Sequence, residues 1–231
     1  MKSKYILFIG LFIALIYYSA FVISTPTGAT LTPGASERKS GVNATNITAQ
    51  CGNVTFLTID LSQISSVWQG YYGDVTGGVV LEDSTGNTFY DWSVIDAIGE
   101  VYATRKIITD WSTINCSNQS HIYLEEERLT IENTSSEGIN DTYKTTLSHP
   151  DFVVNNRLMS GCRCTKTYNS TNSQAKFWNV ILNSDENTTV YTSLMDNDEI
   201  GFDGTTVDFQ LLVPVNLSSG QSIYNIYVEL G

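Results

Sequence analysis

Short runs in which apolar and polar residues alternate follow one another along most of this chain, from residue 51 onward. A period of two places side chains on opposite faces of a β-strand, and glycine, asparagine or aspartate between such runs marks tight turns. The pattern is densest over residues 67–92, where glycines separate segments rich in valine, tyrosine and tryptophan. It predicts an all-β fold, an antiparallel β-sandwich of the Ig-like or jelly-roll-like kind. The predicted strands are 53–61, 66–75, 79–82, 88–94, 100–105, 152–159, 175–182, 188–194, 206–215 and 222–230.

One run departs from the two-residue period. Residues 122–129 combine apolar positions with consecutive glutamates and an arginine, which favours one short helix of about two turns. The polar stretch that follows, 132–148, predicts a long surface loop.

The first residues have a third pattern. Lys2 and Lys4 precede an uncharged, strongly apolar run that ends at residue 23. This predicts an export signal, and the run is also about long enough to form a hydrophobic helix across a bilayer. Cleavage as a signal peptide and retention as a membrane anchor both stay open. Residues 24–50, rich in threonine, proline and glycine, predict a flexible linker, and residues 51–231 an extracellular domain, either membrane-anchored or secreted.

The formal net charge of −12 narrows the choice of partners. An acidic body repels phosphate backbones, so we expect no nucleic-acid partner. Solubility on a crowded cell surface is the simplest reading of this acidity, and a specific cation-binding role is the alternative.

Acceptor triplets for N-glycosylation, Asn-x-Ser/Thr, are more frequent than the composition explains. Acceptor asparagines have to be accessible to solvent, so most of them should lie in turns or at strand edges of an exported protein. The ten candidates are Asn43, Asn46, Asn53, Asn115, Asn118, Asn133, Asn140, Asn169, Asn187 and Asn216.

An even number of cysteines in an exported chain predicts disulfides. Cys162 and Cys164 share one face of a strand two residues apart and cannot easily bond to each other. We therefore expect two disulfides, each joining one of them to Cys51 or Cys116, with the pairing left open.

Hard oxygen ligands are concentrated in one late turn. Asp196, Asp198, Glu199 and Asp203 lie within eight residues, close to two glycines, and form a candidate calcium site. The alternative is a solvated acidic turn without a cofactor.

Aromatic side chains offer a candidate ligand surface, whereas catalytic patterns are missing. The two histidines, His121 and His149, have neither metal-ligand spacing nor a glycine-framed serine nearby, so no catalytic residues are predicted. Sugars stack on exposed rings, which makes Tyr71, Tyr72, Tyr90 and Trp92 the candidate stacking residues. The competing interpretation is that residues on one face of each strand, about half of these rings, belong to the core.

The motifs Trp68-Gln-Gly-Tyr-Tyr-Gly, Asn87-Thr-Phe-Tyr-Asp-Trp, Gly99-Glu-Val-Tyr-Ala-Thr and Gly201-Phe-Asp-Gly-Thr-Thr resemble those of a family of exported archaeal proteins. The likeness covers about residues 46–230. It implies a cell-surface setting, an N-terminal hydrophobic segment and one β-rich extracellular domain, and it carries no catalytic residues. A looser likeness to archaeal surface-filament subunits rests on β-sandwich architecture alone.

These features together predict an exported, N-glycosylated structural or interaction protein of the cell envelope. Its expected partners are other envelope proteins or further copies of itself, in which case it is a self-assembling subunit. It meets the membrane through its N-terminal segment if that segment is not cleaved. The alternative function is a glycan-binding β-sandwich module, with or without calcium. No enzymatic activity is predicted.

Overall fold

The computed structural model describes residues 25–40, 46–59, 63–93, 97–171, 173–184 and 187–231. The predicted signal or anchor segment, residues 1–23, lies outside these ranges. Within them, no helix has the length and apolar character needed to cross a bilayer.

The described residues form short antiparallel strands and two α-helices. A 3₁₀ turn, Trp111–Thr113, precedes the first helix. The helices are α1 (Gln119–Arg128) and α2 (Ile139–Thr142). The strands are β1 (Thr27–Gly28), β2 (Trp68–Gly73), β3 (Gly78–Glu82), β4 (Thr88–Ser93), β5 (Gly99–Thr104), β6 (Asn115–Cys116), β7 (Phe152–Val154), β8 (Arg157–Met159), β9 (Cys164–Tyr168), β10 (Gln174–Asn183), β11 (Thr189–Leu194), β12 (Glu199–Ile200), β13 (Thr206–Val207), β14 (Phe209–Pro214) and β15 (Asn225–Leu230).

A seven-stranded antiparallel sheet occupies the centre of the fold. Its order is β1-β15-β5-β11-β10-β6, and β9 pairs with β10 on the same edge as β6. All six residues of β5 are buried, because both faces of the sheet are covered. Gly99 begins β5 with a φ of 133°, and a Cβ there would lie 2.0 Å from the Glu229 carbonyl oxygen. Only glycine fits this close approach.

The first face of the central sheet is covered by α1, α2 and the two-stranded sheet of β2 and β14. Helix α1 starts at Asn118, whose Oδ1 accepts the backbone N–H of His121 at 3.0 Å, while His121 Nδ1 accepts the backbone N–H of Asn118. This cap directs the apolar side of α1 onto the sheet. The residues buried between these layers are Val67, Val101, Ala103, Ile122, Leu129, Ile131, Ile139, Tyr143, Ile181, Tyr191, Leu211 and Val213.

The second face is covered by the β7–β8 hairpin and the segment that contains the 3₁₀ turn. Asn155 and Asn156 both have positive φ, which a two-residue type I′ hairpin turn requires. Trp111 packs between two tyrosines: its ring centroid lies 5.0 Å from that of Tyr102 and 5.1 Å from that of Tyr227. A second buried core therefore forms on this face.

The structure confirms a mostly β, antiparallel protein with one helix of more than a single turn. Helix α1 confirms the helix predicted at 122–129, and seven of the ten predicted strands each contain one observed strand at a closely matching position. The predicted strand 152–159 is instead the β7–β8 hairpin, and 206–215 is divided between β13 and β14. The predicted loop 132–148 contains the short α2. The described part of the remaining prediction, residues 53–59, contains no strand.

Two other aspects of the sandwich prediction change. The structure does not establish two stacked sheets of similar size, because β2 and β14 are the only strands of the described residues that cover the first face of the central sheet. The expectation that half of the aromatics in 67–92 belong to the core is wrong. Trp68 packs against the core, and the exposed ones are Tyr71, Tyr72, Phe89, Tyr90 and Trp92. Every described side chain of β3 is exposed, and β4 pairs only with β3 among the described residues.

Candidate functional site

The four predicted stacking residues all reach solvent. Tyr71, Tyr72, Tyr90 and Trp92 are between 46% and 55% exposed. Tyr90 and Trp92 adjoin each other, with ring centroids 4.6 Å apart and planes inclined by 53°. Tyr72 instead meets Phe202 edge-on at 4.8 Å. The rings therefore form an apolar surface but no coplanar platform.

The β3–β4 hairpin presents apolar side chains at cross-strand positions. Val79 pairs with Trp92 and Leu81 with Tyr90, so these four side chains occupy one face of the hairpin. Phe89, at an irregularity in the pairing, is 84% exposed. Exposed apolar groups this closely spaced are unusual on a protein that works alone.

A second exposed apolar element precedes the first strand of the body. In segment 53–59 Val54 is fully exposed, Phe56 is 91% exposed and Ile59 is 83% exposed. The segment alternates imperfectly, since Val54 and Phe56 would share one face of a strand and Ile59 the other, and it pairs with no strand among the described residues. It also carries no charge, and neither do the seven residues before it, 46–52. A neutral segment with part of the pattern of a strand is thus unpaired within the described part of the chain.

The sheet formed by β2 and β14 has an open edge on the β2 side. Strand β2 pairs with β14 along its whole length, from Trp68 opposite Pro214 to Gly73 opposite Phe209. Within the described part of the chain, no strand pairs with the other edge of β2. Unpaired N–H and C=O groups along such an edge can accept another strand.

The start of the predicted linker is joined to the central sheet. Thr27 and Gly28 form β1 and pair with Val228 and Tyr227 of β15. Pro26 is buried, and Thr25 Oγ1 donates to Asn155 Oδ1 at 3.0 Å. The first described residues of the predicted linker therefore lie at this edge of the central sheet.

The acidic turn is organised by a lysine. Lys176 Nζ lies 2.7 Å from Glu199 and 3.9 Å from Asp196, and it supplies positive charge to both carboxylates. Asp203 accepts hydrogen bonds from Thr205, and Asp198 accepts one from the Asn197 side chain. Among the described residues, no group of three or more His, Cys, Asp or Glu side chains is placed to hold a metal ion.

The cysteines form one disulfide instead of two. Cys116 bonds to Cys162, with Cα atoms 5.0 Å apart. Cys51 is exposed and Cys164 is buried, and neither forms a disulfide in the described structure. The second bond predicted from the sequence is not formed in the described structure: Cys164 lies in the core of the second face, whereas Cys51 lies in the exposed segment before the body.

The glycosylation candidates lie largely at the surface. Asn43 falls outside the described residues. Asn140, Asn169 and Asn216 are half-buried, and their Oδ1 atoms accept hydrogen bonds from neighbouring residues. The exposed candidates are Asn46, Asn53, Asn115, Asn118, Asn133 and Asn187.

The structure adds a pair of buried carboxyl groups that the sequence analysis missed. Glu100 of β5 lies directly opposite Glu229 of β15, and both are buried. The hydroxyl of Tyr102 lies 2.9 Å from Glu229 Oε2 and 3.4 Å from Glu100 Oε2. Burial, and then the charge of Glu229, raise the pKa of Glu100 to about 8. No local pattern marks this pair, because its residues are far apart in sequence and meet only through strand register.

The unpaired segment 53–59, the open edge of β2 and the β3–β4 hairpin are surfaces that can contact another molecule. Comparison with protein-family models, with curated proteins and with solved structures finds no match to this chain.

Proposed function

We propose that this chain is an exported, N-glycosylated protein of the cell envelope that assembles with further copies of itself, and that each copy donates segment 53–59 as a strand to its neighbour. The observation that carries the proposal is the exposure of Val54, Phe56 and Ile59 in a strand-patterned segment. Side chains of this kind gain about 1.5–3 kcal/mol each when they are buried. The proposal also keeps the envelope setting implied by the resemblance to exported archaeal proteins.

The acceptor in this proposal is the open edge of β2 in the neighbouring copy. Main-chain hydrogen bonds would give affinity, and the alternating side chains would set the register. A third strand beside β2 and β14 would also enlarge the second layer toward the β-sandwich that the sequence predicts. Because residues 46–59 carry no charge, their approach to a chain of net charge −12 adds no repulsion.

The first test replaces the three exposed side chains of the segment. We expect the full-length wild-type chain to sediment as a polymer, and a chain with Val54→Ser, Phe56→Ser and Ile59→Ser to remain monomeric. Analytical ultracentrifugation measures the difference. Non-ionic detergent dissolves membranes, so that a chain attached to a membrane is not mistaken for a polymer. A wild-type chain that remains monomeric would contradict the proposal.

A matched variant controls for general loss of surface hydrophobicity. Ile107, Leu158 and Ile223 are also well exposed and lie outside the segment. Replacing all three with serine should leave the sedimentation of the polymer unchanged. If this control dissociates the polymer as completely as the segment variant, assembly does not depend on segment 53–59.

Cross-linking then separates donation to a neighbour from pairing within one chain, because only eight residues, 60–67, separate the segment from the first residue of β2. In a Cys51→Ser background, Phe56→Cys and Tyr71→Cys are combined, and the oxidised products are separated on a non-reducing gel. Donation predicts a ladder of covalent multimers. A cross-link confined to single chains would show that the segment folds back on its own β2 edge.

The second candidate function is glycan binding, with or without calcium, and the exposure of Tyr71, Tyr72, Tyr90 and Trp92 favours it. If it operates, Trp92→Ala should weaken binding of a neutral oligosaccharide about tenfold or more, because ring stacking is lost. Isothermal titration with and without calcium measures this effect. Equal affinity for the wild type and the variant would remove the proposed stacking role.

A further inference from the structure

We propose that a cleft lined by Arg105, Lys106, Arg128 and Thr188 binds a small oxyanion, the carboxylate, sulfate or phosphate group of an acidic ligand. The cleft has a volume of about 140 Å³ and lies between the end of β5, the C-terminal turn of α1 and the start of β11. This site is independent of the strand donation proposed above.

The positive charges are held in place by one buried carboxylate. Arg105 donates from Nε to Glu125 Oε1 at 3.0 Å and from Nη2 to Glu125 Oε2 at 2.7 Å. Arg128 Nη1 lies 3.8 Å from the same carboxylate and donates to the Asn187 carbonyl oxygen at 2.6 Å. Burial acts to lower the pKa of Arg105, but the hydrogen bonds and charge of Glu125 raise it overall. Both guanidinium groups are therefore fixed before a ligand arrives.

The cleft has an excess of positive charge on a strongly acidic protein. Its described lining contains three cationic side chains, of Arg105, Lys106 and Arg128, against the single carboxylate of Glu125. Asp185 and Glu186, which precede the rim residue Asn187, lie outside the described residues. A chain with twice as many acidic as basic residues, 24 against 12, has three of its bases around this one opening. Arginine in such a setting is suited to the planar or tetrahedral oxygens of an oxyanion.

Thr188 provides an independent sign of a missing partner. Its side chain is 96% buried, being 4% exposed, and Oγ1 makes no hydrogen bond in the described part of the chain. The backbone around it is fixed, since Ser184 N–H donates to the Thr188 carbonyl at 3.0 Å. A buried hydroxyl without a partner is costly. An oxyanion oxygen can accept from this hydroxyl while the neighbouring cations balance its charge.

The size of the cleft limits what enters it. Its volume corresponds to about five water molecules at roughly 30 Å³ each. That accommodates one oxyanion group but not a whole oligosaccharide. The ligand therefore inserts a single acidic group, either as a free ion or as part of a larger molecule such as an acidic sugar.

Titration calorimetry on the full-length chain in non-ionic detergent tests the site with three probes: inorganic sulfate, inorganic phosphate and glucuronate. Chloride keeps the ionic strength constant, so that general screening does not imitate binding. We expect saturable binding of at least one probe with one site per chain. Tighter binding of glucuronate would identify the acidic group of the ligand as a sugar carboxylate. Tighter binding of sulfate or phosphate would identify it as a tetrahedral anion.

Two conservative variants locate the binding. Thr188→Val keeps the side-chain shape and the Asn187-x-Thr189 acceptor triplet but removes the hydroxyl, and should weaken binding about 5–10-fold. Lys106→Met should weaken it about fivefold and reduce its dependence on salt. Because Thr188→Val removes an unpaired polar group, it should not unfold the ligand-free protein.

Matched controls repeat each change elsewhere. Thr192→Val removes another buried hydroxyl that has no partner in the described structure, and Lys144→Met removes a lysine that does not line the cleft. Both should bind the probe as the wild type does. The proposal is overturned if none of the three probes shows saturable binding, or if the Thr188 and Lys106 variants keep the wild-type affinity.

Discussion

Raising the pH from about 4.5 to 8 is expected to lower the free energy of unfolding by up to about 5 kcal/mol, through the carboxyl group of Glu100. The pKa of this group rises from 4.5 to about 8 in the folded chain, and each pKa unit corresponds to about 1.4 kcal/mol. A carboxyl group with a raised pKa binds its proton more tightly in the folded state. Its contribution is therefore complete below pH 4.5 and is lost as the pH rises through 8.

The hydrogen bonds indicate which carboxyl group keeps the proton. The Tyr102 hydroxyl has one proton and lies closer to Glu229, at 2.9 Å, than to Glu100, at 3.4 Å. Glu229 Oε1 also accepts the backbone N–H of Asn155 at 3.1 Å. An ionised Glu229 is thus stabilised by two donors, while a protonated Glu100 can donate to the tyrosine oxygen. Ionising both would place like charges directly opposite each other in a buried part of the sheet.

Urea unfolding of the full-length chain at several pH values between 4.5 and 8.5 measures this effect. Glu100→Gln, a neutral residue of similar shape, should flatten most of the decline. Glu127→Gln changes an exposed glutamate and should leave the decline unchanged. Burial also raises the pKa of Glu126 and of Glu229, so a shallow slope should remain in the Glu100 variant. Wild-type stability that is constant or increases over this range would contradict the assignment.

Four of the seven strands of the central sheet, β5, β10, β11 and β15, were predicted from the sequence. Strands β1, β6 and β9 were not, and neither was the packing of the hairpin. Strands β5, β10 and β11 contain branched and aromatic residues between clear turns, so local pattern is sufficient to locate them. The β3–β4 hairpin carries the same local signal but lies outside both cores. Alternation shows which residues share a face, but not whether another layer covers that face. The division of 152–159 into two strands could have been predicted, because the pair Asn155-Asn156 is typical of a two-residue hairpin turn.

A short motif made the surface position of some residues predictable. Acceptor triplets identify surface asparagines such as Asn187, and most of the described ones are exposed. The Glu100–Glu229 pair depends on strand register, and the cleft beside Thr188 depends on how α1 packs against β5 and β11. Neither leaves a signal in the nearby sequence. The parity of cysteines likewise predicts disulfides but cannot distinguish one bond with two free thiols from two bonds.

Loss of the Cys116–Cys162 disulfide is expected to lower the free energy of unfolding by about 4 kcal/mol. The bond spans 46 residues of sequence, and the entropy that a cross-link of this span removes from the unfolded chain corresponds to about that value. It also ties β6 to the segment before β9, at the border of the core on the second face. The double variant Cys116→Ser and Cys162→Ser, unfolded in urea at pH 6 beside the wild type, measures the loss.

The two free cysteines provide the control and an independent check of the pairing. Cys51→Ser should leave stability unchanged, because the side chain is exposed and unbonded. In alkylation followed by mass spectrometry, Cys51 should react in the folded chain. Burial raises the pKa of the Cys164 thiol, so it should react only after unfolding. Cys116 and Cys162 should require reduction as well. Alkylation of all four cysteines in urea without a reductant would show that the Cys116–Cys162 disulfide is not formed. A bond between Cys51 and Cys164 would contradict the assignment of both as free thiols.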